Sequence, residues 1–437
     1  MKFFFKIVIL FLIMFNFRVP GFYNSAFVAM IICTFYYIGN RKAIPLTYLF
    51  QRYSAVILIG TVILAFYIVL IVFFHHSGDV MITREKRTWV MFMMLGATVY
   101  VMPLLVEGKE STAFEELALI ICYAFALQGA LDLAAYLYTP LGDLFIKLKP
   151  EDALLFEDDS EIGNRYRYCN LSGTRLVELS ASFGVSFIVF YLVQTKYKHQ
   201  MKGWIKYFVF FFIFLGTMFS GRTGFIGFLV GLAGWLIFSY NRIFRFLIRN
   251  LKYIIGFTAL LLFVFYGLFT PKQRESFTDG VFPFAFEWYY NYRDYGKFEV
   301  ASAEATPMHY FYIYDKTLTA GDGADAWNGT VYPHSDAGYM NTLVLGGIPF
   351  LLVLIIYQLL YFVRPIEAAL NNRSIREPNK DWKSIVFLSL LCIYIFIIEI
   401  KASMVGYLHV IEVMYLALGS SYLIQYYTQK ESGESTG

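Results

Sequence analysis

Charge is the first thing this chain is short of. Only 16% of its 437 residues are Asp, Glu, Lys or Arg, and the formal net charge is +4. Such a balance gives no footprint for nucleic acid. Cysteine is also scarce: Cys33, Cys122, Cys169 and Cys392 show neither CxxC nor metal-ligand spacing, so disulfides and a structural zinc are not expected. The sequence contains no acidic pair of the kind that holds a metal for nucleotide-sugar donors. It has no glycine-rich nucleotide loop, and no internal repeat.

What is abundant is apolar surface. Hydrophobic residues make up 58% of the chain and aromatics 20%, more than a water-soluble domain carries. Polar punctuation divides these residues into twelve apolar stretches: 3–16, 22–38, 54–74, 89–106, 114–138, 177–194, 204–220, 223–239, 253–270, 337–362, 384–400 and 403–426. Most match the length that crosses a bilayer as a helix. The expectation is an all-α integral membrane protein, one polytopic domain over 1–437 with about twelve transmembrane helices. Lys2 and Lys6 precede the first stretch like a signal peptide, but no small-x-small site follows, so it reads as a retained span.

Lysine and arginine in the short loops set the expected orientation. With the N-terminus cytoplasmic, inner loops hold Arg41, Lys42 and Arg52; Lys196, Lys198 and Lys202; Arg242, Arg245, Arg249 and Lys252; and Arg364, Arg373, Arg376, Lys380 and Lys383. Arg84, Lys86 and Arg87 fall in an outer loop against the trend. Both termini are then inside, and two long loops, 139–176 and 271–336, lie outside. The second is rich in tyrosine and tryptophan, which suits an interfacial belt first and sugar stacking second. Residues 429–437 read as a disordered tail.

Few residues in this background carry chemistry. Arg222 sits in Ser220-Gly221-Arg222-Thr223-Gly224, a tight turn between two apolar runs, where a guanidinium is costly unless it faces a cavity or a partner. Arg175 closes the first long loop and His334 lies at the mouth of the stretch beginning at 337. Arginine recognises phosphate oxygens through paired, charge-assisted hydrogen bonds, and a histidine near its ordinary pKa suits general-base work. Taken singly, Arg175 reads as a snorkelling span-end arginine and His334 as an interfacial histidine. Asp336 is close to His334 in sequence, and Gly321 and Gly323 flank Asp322 in a glycine turn. Within the apolar stretches, Asp132, Glu399 with Lys401, and His409 with Glu412 are the costly residues an ion-coupled transporter would use. His75-His76 lacks a second ligand pair, and Asn328-Gly329-Thr330 matches a glycosylation acceptor by three residues alone.

The arginine before the sixth stretch, Ser-Gly-Arg-Thr-Gly between the seventh and eighth, Gly321-Asp322-Gly323, and His334-Ser335-Asp336-x-Gly338-Tyr339 followed by Leu345-Gly-Gly-Ile-Pro349 resemble the O-antigen polymerase and O-antigen ligase family. The family's asparagine after the histidine is Ser335 here. The resemblance implies a fold like that of the multi-span GT-C glycosyltransferases, in the bacterial inner membrane with a periplasmic active face. It implies metal-independent, cofactor-free, inverting transfer of a glycan from undecaprenyl diphosphate. Arg175 and Arg222 match the diphosphate-binding arginines and His334 the acceptor-activating histidine, with Asp336, Gly321 and Gly323 in support. Expected partners are the lipid-linked donor and acceptor, membrane lipids and a chain-length regulator. A polymerase of repeat units is favoured over a ligase acting on the lipid A core. A lipid-linked oligosaccharide flippase or another transporter is the reading from a different class.

Overall fold

A computed structural model describes residues 2–40, 51–75, 79–150, 170–174, 176–197, 201, 203–239, 255–256, 258–297, 306–324, 332–333, 335, 337–371, 378–401 and 409–431. Helices dominate, and among the described residues the sole β pairing is an isolated Val19–Phe22 bridge. In chain order the helices are α1 (Phe3–Phe15), α2 (Ser25–Gly39), α3 (Arg52–His75), α4 (Asp79–Val106), α5 (Ala113–Leu137), α6 (Thr139–Lys147) and α7 (Leu176–Lys196). They continue with α8 (Ile205–Ser220), α9 (Thr223–Ser239), α10 (Thr258–Leu268), α11 (Glu287–Tyr295), α12 (Asp315–Ala320), α13 (Gly338–Asn371), α14 (Pro378–Lys401) and α15 (His409–Glu431).

Each of the twelve apolar stretches contains a helix. Six of these helices, α3, α4, α5, α7, α13 and α14, are long and apolar enough to cross a membrane. Shorter apolar helices α1, α2, α8, α9 and α10 surround them. The outward faces are themselves apolar: Phe66, Phe73 and Phe74 on α3 and Leu352, Ile356 and Val363 on α13 are all more than half exposed. Water would penalise such a surface and hydrocarbon does not, which makes this a multi-pass membrane protein.

The core runs through α7 and α15, which are buried along most of their length. Packing against α7 depends on small residues. Gly224, Gly227, Gly231 and Gly234 are buried along α9. A Cβ on Gly227 would run into the Gly184 backbone and one on Gly224 into the Ser180 carbonyl. Such a seam lets two helices touch backbone to backbone, where dispersion and close dipoles replace the missing hydrophobic drive. Tyr394 of α14 closes the seam, its hydroxyl donating to Ala181 O at 3.0 Å and reaching Thr223 O at 3.5 Å.

One expectation about the loops changes. Residues 84–87 are not a connecting loop but part of α4, and Arg87 is buried beside Glu178, which explains why it ignores the loop-charge trend. The expected long loops also contain helix. The first opens with α6, and the second with helical turns over 271–285 followed by α11 and later α12.

Candidate functional site

The Ser-Gly-Arg-Thr-Gly turn is held from one side chain. Ser180, in the second turn of α7, donates its hydroxyl hydrogen to Gly221 O at 2.6 Å and accepts from Gly224 N–H at 3.0 Å. Gly221 takes φ 152°, a conformation that disfavours side chains, and a Cβ there would press on Ser180. The chain can therefore re-enter as α9 within three residues, leaving Arg222 at the apex. Its side chain keeps 21% of its surface exposed and pairs with Glu287, whose side chain is 22% exposed, while the guanidinium lies 4.7 Å over the Phe284 ring.

Glu287 arrives because the 271–285 stretch is anchored. Phe277, Val281 and Ala285 bury themselves against Leu215, Met218 and Phe219 of α8. Thr270 caps this stretch through a reciprocal box with Gln273, whose amide also donates to Tyr136 O at 2.9 Å. Nothing in the sequence pattern singles out Glu287; the one signal was an acid at the start of an aromatic run, 65 residues from its partner.

The Gly-Asp-Gly turn does a different job. Helix α13 is broken at Gly347, with φ 66° and ψ −166°, and Pro349 contributes no N–H. That leaves the Val344 and Leu345 carbonyls without their usual partners, and the loop supplies them: Asp322 N–H donates to Val344 O at 2.8 Å and Gly323 N–H to Leu345 O at 3.0 Å. Both backbones need glycine to come so close. A Cβ on Gly321 would meet the Leu345 carbonyl, and one on Gly347 would lie 2.7 Å from Leu318 O. Asp322 accepts from Thr317 at 2.7 Å and from the Tyr332 hydroxyl. Burial, then the Asp322 carboxylate, push the Tyr332 phenol above its ordinary value.

Tyr332 stacks on Phe311 at 5.7 Å. Ser335 is fully buried; its hydroxyl donates to His309 O at 2.8 Å and accepts from Ala337 N–H at 3.2 Å, and Asn341 donates to Ser335 O at 2.7 Å. Arg175, His334 and Asp336 themselves lie outside the described residues. Their chain neighbours are anchored: Gly173 N–H donates to Phe15 O at 2.7 Å ahead of position 175, and Ser335 is the hub between positions 334 and 336.

The end of α14 touches both clusters. Tyr394 reaches the carbonyl next to Arg222, Phe396 O accepts from Tyr339 at 3.4 Å, and Ile400 O accepts from Tyr310 at 2.8 Å. Six residues of helix rise about 9 Å, so the arginine turn and the region of Tyr310 and Tyr339 share one end of the bundle. Among the described residues no group of three or more His, Cys, Asp or Glu side chains could hold a metal ion. No protein-family model, curated protein or solved structure matches this chain.

Proposed function

We propose that this protein polymerises lipid-linked glycan repeat units on the outer face of the bacterial inner membrane, with both termini cytoplasmic. The donor is a glycan on undecaprenyl diphosphate and the transfer is inverting, with no metal or other cofactor. Arg222 and Arg175 bind the diphosphate and stabilise the charge it takes up as its bond to the anomeric carbon breaks and it leaves. His334 takes the proton from the acceptor hydroxyl as that oxygen attacks. Asp336 supports the histidine, and Gly321 and Gly323 hold the loop that presents it.

One observation supports this reading above the others: the last two turns of α14 contact both the Arg222 turn and the segment around position 334. The arginine turn and the chain around Ser335 then lie at one end of the bundle. Glu287 gives the arginine a resting partner. A guanidinium carries five N–H donors, so a carboxylate can orient it and a diphosphate can compete for the same group. The chain-length regulator and the acceptor chain remain partners of this same face in the proposal.

A deletion strain's glycan ladder tests the class of activity. A single repeat capped on the lipid A core identifies a polymerase, long unattached chains a ligase, and lipid-linked units held on the cytoplasmic side a flippase. His334→Ala should abolish chain extension with the protein still inserted; long chains in that strain would remove His334 from the mechanism. The transport reading draws on a separate observation, a group of ionisable residues buried between helices.

A further inference from the structure

Between α13 and α14 runs an open groove of about 350 Å3, a volume in the range of small-ligand sites. Leu359, Phe362, Val363, Ile366 and Leu370 line it from α13, and Cys392 from α14. The α13 positions recur every three or four residues and so form one stripe along the helix. The gap opens where α14 presents only the small side chain of Cys392. Its floor is fixed, because Phe362 is buried and meets the Tyr415 ring edge-on at 4.9 Å. Its rims face outward: Leu359, Val363 and Leu370 are each more than a third exposed.

The groove is polar toward one end only, where Glu367 and Asn371 join the lining. That end lies where α13 gives way to α14 through residues 372–377, away from the end of α14 that meets Tyr310 and Tyr339. From Leu359 to Leu370 the helix rises about 16 Å, and one leaflet of hydrocarbon is about 15 Å deep. At the polar end Arg364 and Glu367 pair across one turn at 2.6 Å, each side chain about half exposed. Apolar walls do not hold water, and a bare groove forfeits dispersion contacts along both helices. An acyl chain supplies those contacts: it is thin, apolar and one leaflet long.

We propose that this groove binds one phospholipid whose headgroup carries both a phosphate and a primary ammonium, the phosphatidylethanolamine class. One acyl chain lies along 359–370, the phosphate meets Arg364 and the ammonium meets Glu367. A guanidinium takes phosphate oxygens through charge-assisted hydrogen bonds, and an ammonium offers three N–H donors to a carboxylate. Opposite charges one turn apart on the helix thus match opposite charges side by side in the headgroup. An exposed ion pair is weak, so the headgroup displaces little when it inserts. A choline headgroup has no N–H to donate, and an anionic headgroup without an amine sets its negative charge beside Glu367. The site uses neither Arg222 nor His334 and is independent of glycan transfer.

Native mass spectrometry of the purified full-length protein in mild detergent tests this. Dioleoyl phosphatidylethanolamine, phosphatidylcholine and phosphatidylglycerol are titrated in separately, and the fraction of protein retaining one lipid is read for each. The ethanolamine lipid should be retained at about 10-fold lower concentration than the other two. Val363→Trp fills the groove from an exposed position and should weaken that retention about 10-fold. Glu367→Gln keeps the side chain's shape and should abolish the preference for ethanolamine over choline while a lipid is still held. Equal retention of the three lipids by the wild type, a comparison that needs no variant, would overturn the headgroup assignment. Ethanolamine retention unchanged in Val363→Trp would overturn the groove as its place, and so would a polyprenyl lipid that copurifies with the wild type and is lost in that variant. His334→Ala should leave every one of these lipid readings unchanged, so the glycan reading can fail without this one.

Discussion

Arg222 shows what a single charged residue demands at the end of an apolar hairpin. Its side chain is mostly buried, with the guanidinium over Phe284 and against Glu287, so the cost of placing it there is met by a ring face and a carboxylate. Replacing Arg222 with alanine is expected to lower chain extension about 100-fold or more, and lysine should recover only part of it, since a point charge cannot bind phosphate through two edges. Full activity in Arg222→Lys would argue against paired phosphate recognition. Glu287→Gln keeps the shape but releases the guanidinium; a several-fold change in KM for the lipid-linked substrate, with expression unchanged, is the expected result. Tyr332 makes a pH prediction. Its folded pKa is raised by burial and by Asp322, so its contribution is complete below the ordinary tyrosine value of about 10 and is lost as pH rises through the folded value. A fall in unfolding temperature at alkaline pH that is smaller in Tyr332→Phe would show it.

At the scale of elements, glycines decide where the functional turns can sit. The Gly184–Gly227 contact brings α7 and α9 together, and Ser180 on that seam then fixes the arginine turn. Gly227→Leu should therefore separate the helices and reduce both thermal stability and activity, whereas Leu229→Ala, at an exposed position of the same helix, should leave both nearly unchanged. Gly347→Ala should cost about 2–4 kcal/mol, from a strained φ and a collision with the α12 backbone, read as a lower unfolding temperature in detergent. Helix positions and the two glycine turns were legible in the sequence because hydropathy and turn chemistry are local. Glu287 was not, since its place depends on phenylalanines filling a gap beside α8. Arg87 was misplaced because a charged triplet looks like a loop until a carboxylate on another helix accounts for its burial.

Across the whole molecule, α14 carries the arrangement. Tyr394 reaches the arginine turn, and the carbonyls of Phe396 and Ile400 accept from Tyr339 and Tyr310 on either side of Ser335, so both regions lie at one end of the bundle. Arg222→Cys and Tyr312→Cys should accordingly react with a membrane-impermeant thiol reagent added from the same side, and Glu110→Cys, on the loop between α4 and α5, from the opposite side. Labelling of the first two from opposite sides would break the shared-face arrangement.

The broken helix α13 has a consequence for how the protein is made. The Val344 and Leu345 carbonyls find their donors in residues that leave the ribosome before them. A bilayer offers no substitute donor, and each bare carbonyl there costs several kcal/mol. α13 thus cannot settle as an independent span: the loop that precedes it must dock as the helix enters, making that segment a built-in assembly factor for the helix that follows.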